Sequence, residues 1–162
     1  MALPEIKTVL YTTSLGEHTR PVFRQAVQQA VVQNARIVML HVVEPVGELG
    51  RALIQNYLPE DTVKKIHDEG IAEIKQQMKS RVEAFYQEEL NALPEPPQLE
   101  IEFLVEEGNQ ADTILHVADQ QNADLIVMGN ENRFGHHSHT PRQVNRNAKV
   151  PVLVVPTGEK YK

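Results

Sequence analysis

The residues best suited to chemistry lie between positions 129 and 143, directly after an apolar run. Arginines and the first turn of a helix attract anions. Histidines add positive charge as the pH falls toward about 6.5. This combination favours a small anion as the ligand; the alternative is a solvated polar loop whose charges balance an acidic protein. The residues concerned are Arg133, His136, His137, His139, Arg142 and the start of the helix after Thr140.

Three histidines of this segment also raise the question of a metal site. The imidazoles of His136, His137 and His139 are close enough in sequence to meet one Zn²⁺ or Ni²⁺ ion. Structural metal sites usually take their ligands from separated segments, and only Glu131 offers a carboxylate nearby. We therefore predict no metal here and keep the three histidines as weak candidates.

Other catalytic patterns are absent from the sequence. It contains no Gly-x-Ser-x-Gly elbow, no Walker phosphate loop and no His-Glu-x-x-His motif. Without cysteine it has neither a thiolate nucleophile nor a disulfide. His41 lies within an apolar run and is interpreted as structural rather than catalytic. The sequence therefore identifies no catalytic residue and does not support enzymatic turnover.

Composition indicates a globular protein with a single domain over residues 1–162. Hydrophobic residues make up 41% and charged residues 23% of the 162 positions, which argues against a disordered chain. The net charge of -6, without a dense cluster of Lys and Arg, argues against nucleic-acid binding. The N-terminus lacks the features of a signal peptide, and no apolar run approaches the roughly 18 residues of a membrane span. We expect a cytoplasmic protein with neither a membrane nor a nucleic-acid partner.

Short apolar runs rich in β-branched residues predict the strands. The last two runs are almost continuously apolar, as in a parallel sheet that helices cover on both faces. The third run alternates between apolar and acidic residues, which is typical of an edge strand. The predicted strands are Thr8–Tyr11, Arg36–Val43, Leu99–Val105, Asp124–Met128 and Val150–Val155.

Helical patterns separate these strands and imply right-handed crossovers in one doubly wound sheet. We predict Asp61 as the N-cap of the longest helix, and Thr140 as the N-cap of the last one, with Gln143 completing a capping box. The stretch Pro45–Pro59 is expected to be a long connection. The predicted helices cover about Pro21–Asn34, the region between Asp61 and Pro94, Ala111–Ala118 and about Pro141–Asn147.

Three strings of residues are more specific than the pattern of elements. Leu40–Pro45 ends the second strand, Asn122–Gly129 forms the fourth, and Ala148–Pro156 forms the fifth. In this order they resemble the universal stress protein family, and the similarity covers essentially the whole chain. The alternative is another flavodoxin-like fold, which also needs apolar strands at these places.

The resemblance implies a fold, an assembly and a ligand. The fold is α/β, a doubly wound five-stranded parallel sheet in the order 3-2-1-4-5 with helices on both faces, like that of the adenine nucleotide alpha hydrolases. The common assembly is a homodimer, which we expect to form through the apolar strand Val150–Val155. In many members of the family, ATP or AMP binds at the carboxyl ends of the strands, where open α/β sheets bind ligands.

The phosphate-binding pattern of the family is incomplete in this sequence. Nucleotide-binding members carry Gly, two residues, a second Gly, nine residues, and then Gly with Ser or Thr. Gly129 supplies the first position, but Asn132 replaces the second glycine. The final pair falls either on Arg142-Gln143 or, with a shortened loop, on Ser138-His139. In both alignments the phosphate cradle lacks part of the pattern. The residues of this segment that the resemblance implies for nucleotide binding are Gly129, Asn132, Arg133, Gly135, Ser138 and His139.

The first strand departs from the family as well. Members that bind ATP usually end this strand with an Asp that reads the adenine edge, and Ser14 takes that position here. A hydroxyl cannot supply the charge-assisted hydrogen bond of a carboxylate. Thr12 stands in place of the usual proline. Val42 and Met128 match positions that line the adenine or ribose pocket, although packing alone would make both apolar.

These observations support three hypotheses. The first is a regulatory or stress-protective protein that acts as a dimer, with nucleotide binding weak or lost. The second is a sensor of adenine nucleotide, or a slow ATPase, whose shortened loop after Gly129 still closes on phosphate. The third is a metal-responsive binder that uses the histidines.

Overall fold

The chain forms a five-stranded parallel sheet in the order β3-β2-β1-β4-β5. The computed structural model describes residues 2–45, 47–130 and 138–158. The predicted fold class, strand order and position of both edge strands are confirmed. The strands are β1 Thr8–Thr12, β2 Arg36–Val43, β3 Ile101–Glu107, β4 Leu125–Gly129 and β5 Val152–Val155.

Helices connect the strands, and all of the predicted helices are present. The chain divides into two compact units, Met1–Val43 with Pro97–Lys162, and Glu44–Pro96. The first unit holds the sheet with α1, α4 and α5, and the second holds α2, α3 and a π-helical turn at Tyr86–Leu90. None of the described helices is long and apolar enough to cross a membrane. The helices are α1 Arg20–Gln33, α2 Glu48–Tyr57, α3 Glu60–Phe85, α4 Gln110–Gln120 and α5 Thr140–Asn147.

Both faces of the central strands are buried because successive side chains point to opposite sides of the sheet. On one face, Leu10 and Ile126 join the core cluster that contains Ile114 of α4 and Val144 of α5. On the other face, the ring of Tyr11 lies 5.4 Å from that of Phe23 in α1. Continuous burial explains why β1 and β4 read as unbroken apolar runs in the sequence.

One sequence-based prediction about the connections is wrong. The stretch Pro45–Pro59, expected to be a loop, contains the helix α2. Prolines at both ends, together with Gly47 and Gly50, masked the helical repeat of Leu49, Leu53 and Tyr57. All three of these side chains are exposed, so the repeat does not mark a buried face.

The predicted helix caps also require correction. The N-cap of α3 is Pro59 rather than Asp61, and α3 begins at Glu60. The N-cap of α5 is His139, and Thr140 is already its first residue. No side chain caps α5 at this position, so the predicted capping box is absent. Instead, the hydroxyl of Ser138 accepts a hydrogen bond of 3.1 Å from the N–H of Thr140.

Candidate functional site

The candidate site lies at the carboxyl ends of β1 and β4, where the strand order of the sheet reverses. In the sheet, β2 and β3 lie on one side of β1, whereas β4 and β5 lie on the other side. In open α/β sheets this arrangement opens a crevice that binds ligands. Of the residues predicted for the site, Thr12, Ser14, Gly129 and Ser138 lie at this edge.

The segment after β1 is held by the hydroxyl groups of its own side chains. The Thr13 hydroxyl accepts a hydrogen bond of 3.0 Å from the N–H of Leu15, which adopts the left-handed conformation with φ 58°. The Ser14 hydroxyl accepts a longer one, 3.4 Å, from the N–H of Gly16. The N–H of Thr13 in turn donates to the carbonyl of Leu40 at 2.9 Å. These bonds fix the backbone around Ser14.

His41 is part of this support. Its Nδ1 lies 2.8 Å from the carbonyl oxygen of Thr13. Because a carbonyl can only accept, Nδ1 carries the hydrogen and donates it. The imidazole therefore ties β2 to the segment after β1, and this contact supports the structural interpretation of His41.

Gly129 is enclosed by its packing neighbours. A Cβ atom at this position would lie 3.1 Å from Cγ2 of Thr157 and 3.1 Å from Cγ2 of Val22. Both distances are shorter than ordinary van der Waals contacts between carbon atoms. The packing of α1 and of the chain after β5 against β4 thus favours a glycine here, independently of any phosphate.

Asn130 and Thr157 connect the end of β4 to the chain that follows β5, and sequence patterns did not single out either residue. The N–H of Asn130 donates to the carbonyl of Val155 at 3.2 Å, and its carbonyl accepts from the N–H of Ser138 at 3.1 Å. Its Oδ1 accepts from the N–H of Thr157 at 3.3 Å and from the Thr157 hydroxyl at 3.1 Å. The two ends of the segment between residues 130 and 138 therefore meet beside β5.

Two of the predicted pocket residues are parts of the core. Val42 and Met128 are 2% and 4% exposed, and both belong to the buried cluster beneath α4 and α5. The carbonyl of Val42 accepts a hydrogen bond of 3.0 Å from Nε2 of Gln110. Burial in the core accounts for the apolar character of both side chains.

The polar candidates near α5 divide into described and undescribed residues. Ser138 is half-buried, while His139 and Arg142 are exposed. Asn132, Arg133, Gly135, His136 and His137 lie outside the described residues, so their predicted roles stay predictions. Within residues 2–45, 47–130 and 138–158, no group of three potential metal ligands comes together.

The helices that begin beside the site favour negative charge. Since α1 follows β1 and α5 follows β4, both start at the carboxyl edge of the sheet. Neither carries an acidic residue in its first turn, whereas α2, α3 and α4 all do. Arg20 and Arg142 occupy the first turns of α1 and α5 instead. Their charges add to the positive potential of the helix N-termini.

Comparisons with known proteins agree on one family. The model of the universal stress protein family matches residues 5–156. The structure is similar to that of the universal stress protein UspA from Lactobacillus plantarum, with a TM-score of 0.72, 20% identity, and coverage of 94% of this chain and 99% of that one. It is also similar to a universal stress protein from Burkholderia pseudomallei, with a TM-score of 0.59, 19% identity, and coverage of 93% and 96%.

A third similar structure contains a ligand. It is a universal stress protein in complex with cAMP, with a TM-score of 0.62, 25% identity, and coverage of 96% of this chain and 100% of that one. No curated protein sequence matches this chain significantly.

Proposed function

The chain belongs to the universal stress protein family, and from this premise we propose that it is a regulatory or stress-protective protein that acts as a dimer and binds ATP weakly or not at all. The observation that carries the proposal is the segment after β1. There Ser14 presents a hydroxyl in place of a carboxylate, and its oxygen accepts the N–H of Gly16. A charged hydrogen bond to adenine cannot form at this position.

Gly129 supports the same proposal. In a phosphate cradle a glycine keeps the backbone accessible to the ligand. Here the side chains of Thr157 and Val22 occupy the space beside its Cα. The retained glycine is explained by packing, so its presence is not a reason to expect ATP binding.

The proposed dimer rests on β5. This strand is an edge of the sheet, and Val154 is 39% exposed on it while Val152 and Leu153 are half-buried. An open apolar edge recruits other strands unless it is covered. Pairing with a second copy of the chain around a two-fold axis would cover the β5 edge of each copy and close the assembly.

A second candidate function is an adenine-nucleotide sensor that binds AMP or a similar anion, or that hydrolyses ATP slowly. It is favoured by the first turns of α1 and α5, which carry arginine and no acidic residue. The similar universal stress protein bound to cAMP belongs to the same class of ligand. These features supply attraction for phosphate without the carboxylate that would read adenine.

Nucleotide content and affinity test the proposal. The purified protein is expected to release no stoichiometric adenine nucleotide on denaturation, and calorimetric titration should give weaker binding for ATP than for AMP. The variant Ser14→Asp should raise ATP affinity by about tenfold or more, since a charged hydrogen bond contributes roughly 1.5–3 kcal/mol. Gln120→Glu is the matched control, because it adds the same charge at an exposed position at the end of α4.

Two results would contradict weak ATP binding. One is co-purified ATP, and the other is a dissociation constant for ATP in the low micromolar range. Either result would move the sensor function to first place.

A further inference from the structure

The apolar side of α2 faces solvent. Leu49, Leu53 and Tyr57 are 78%, 52% and 79% exposed, and α2 has no buried residue. Residues four positions apart lie on the same face of an α-helix, so these three side chains form one row, which we call the α2 stripe. Single apolar side chains are common on protein surfaces, whereas a continuous exposed patch of them indicates an interaction site.

The chain around α2 has no core of its own. In the compact unit Glu44–Pro96, the buried side chains among the described residues all come after residue 77. Leu58 and Ile66, which follow the stripe in the sequence, are exposed as well. The α2 stripe therefore lies outside the buried part of its unit. The buried residues of the unit are Met78, Val82, Phe85 and Leu90.

The charges beside the stripe are mostly negative. Glu44 and Glu48 lie at its start, Glu60 and Asp61 follow its end, and all four are exposed. The only cation between residues 44 and 61 is Arg51. It is two residues from the nearest members of the stripe, and two residues turn an α-helix by about 200°, so Arg51 lies on the opposite side. An apolar stripe with carboxylates at both ends is complementary to a partner that is apolar and basic.

This charge distribution also distinguishes between the possible occupants of the stripe. A second copy of the chain would bring the same carboxylates against it in either orientation, and like charges repel. An anionic membrane surface would be repelled for the same reason. A basic amphipathic helix is instead attracted to the carboxylates, and it can lay its apolar face along the stripe.

We propose that the α2 stripe is a docking surface for a basic amphipathic helix of a partner protein. The inference rests on the regulatory function proposed above and names the class of partner. Leu53 is the central contact, because it lies between Leu49 and Tyr57 on the same face of α2. Glu48 and Glu60 attract the basic side chains of the partner from the two ends of the stripe.

Fluorescence anisotropy with a labelled synthetic peptide of leucine and lysine tests this surface. The peptide carries leucine at positions i, i+3, i+4 and i+7 and therefore forms a basic amphipathic helix. Leu53→Asn removes the central apolar contact and should weaken peptide binding by about tenfold or more. Leu53→Asp should weaken binding too, although its added carboxylate attracts lysine. Glu48→Gln combined with Glu60→Gln should weaken binding by about threefold at low salt.

Three controls separate this surface from general attraction to an acidic protein and from folding. Val32→Asp adds the same charge at another exposed apolar side chain, in α1, and should not weaken binding. A peptide of the same composition but scrambled sequence has no apolar face, and it should bind at least about tenfold more weakly. The urea midpoints of both Leu53 variants should stay close to that of the wild type, because Leu53 is exposed.

The inference is overturned if the wild type does not bind the amphipathic peptide at millimolar concentration, or if the Leu53 variants bind it like the wild type. It is also overturned if the wild type binds vesicles of phosphatidylglycerol and Leu53→Asn does not, because a membrane then occupies the stripe. If Leu53→Asn sediments as a smaller species than the wild type, a second copy occupies the stripe and the inference is wrong.

These outcomes are distinct from those that test the proposed function. Failure of the peptide to bind leaves weak ATP binding and the dimer through β5 as they stand. Conversely, co-purified ATP or a monomeric wild type would contradict the proposed function, and peptide binding that depends on Leu53 would still support the docking surface.

Discussion

At the scale of single residues, the site is shaped by small side chains that touch one another closely. Methyl groups of Thr157 and Val22 lie 3.1 Å from the position that a Cβ atom of residue 129 would take. Thr13 and Ser14 bond to the backbone of their own segment. A residue that matches a binding motif can thus be favoured by packing alone. At Gly129 the two explanations, phosphate binding and packing, can be tested separately.

Gly129→Ala is expected to destabilise the protein in the absence of any ligand. Overpacking of a close-packed interior costs about 1–3 kcal/mol of unfolding free energy. In the background of Thr157→Ser the cost should be smaller, because that change removes Cγ2 and keeps the hydroxyl. Urea unfolding of the wild type, the two single variants and the double variant measures the difference.

The matched control is Gly70→Ala in α3. A Cβ at Gly70 would meet nothing within 4 Å. This substitution should stabilise the helix by about 0.5–1 kcal/mol, because alanine is the better helix former. Similar effects at positions 70 and 129 would refute the packing explanation.

At the scale of elements, polar side chains join the amino ends of the strands, opposite the candidate site. The carboxylate of Asp124 accepts hydrogen bonds from the N–H groups of Lys7 and Thr8, at 2.8 and 3.0 Å. Arg36 donates to the hydroxyl of Thr8 at 3.1 Å and to the carboxylate of Glu102 at 3.2 Å. The start of β1 is therefore tied to β2 and to the residue that precedes β4.

Asp124→Ala should lower the free energy of unfolding by about 1.5–3 kcal/mol, the usual contribution of hydrogen bonds to a charged group. Asp124→Asn retains an acceptor oxygen and should lose less. The control Asp119→Ala removes an exposed carboxylate whose ion pair with Lys149 is 4.0 Å long. Its effect should stay within about 0.5 kcal/mol, because exposed pairs contribute little. If chemical denaturation shows a larger loss of unfolding free energy in Asp119→Ala than in Asp124→Ala, this assignment is wrong.

At the scale of the whole molecule, the parallel sheet ends in two different edges. The β3 edge carries exposed Glu102, Glu106 and Glu107, which oppose pairing with another strand. The β5 edge consists of the apolar residues Val152–Val155. This difference in charge leads us to place the proposed subunit interface at β5.

Val154→Lys should convert the dimer to a monomer, since it places a charge in the proposed apolar interface. Sedimentation velocity at micromolar concentration is the measurement. Val32→Lys, at a side chain of α1 that is 66% exposed, is the control and should sediment like the wild type. A wild type that is already monomeric under these conditions would show that β5 is not a subunit interface.

The order of elements was predictable because burial leaves a period in the sequence. Strands covered on both faces become continuous apolar runs, as in β4, and a one-sided helix repeats its apolar residues every three or four positions, as in α1. The helix α2 was not predicted from the sequence because its apolar residues are exposed and are flanked by residues that favour turns. The N-caps were misplaced by one or two residues because Pro59 and His139, which precede α3 and α5, make no side-chain capping hydrogen bond, so a search for capping side chains does not find them.

The sequence by itself determined the family and the parallel sheet, since both follow from residue types at fixed positions. Only the tertiary structure decided what Gly129 and Asn130 contact. Thr157 lies 27 residues from Asn130 along the chain, and the two meet because β5 pairs with β4 in parallel register. No local pattern records such a contact, because it depends on how the strands align and not on the residues beside either position.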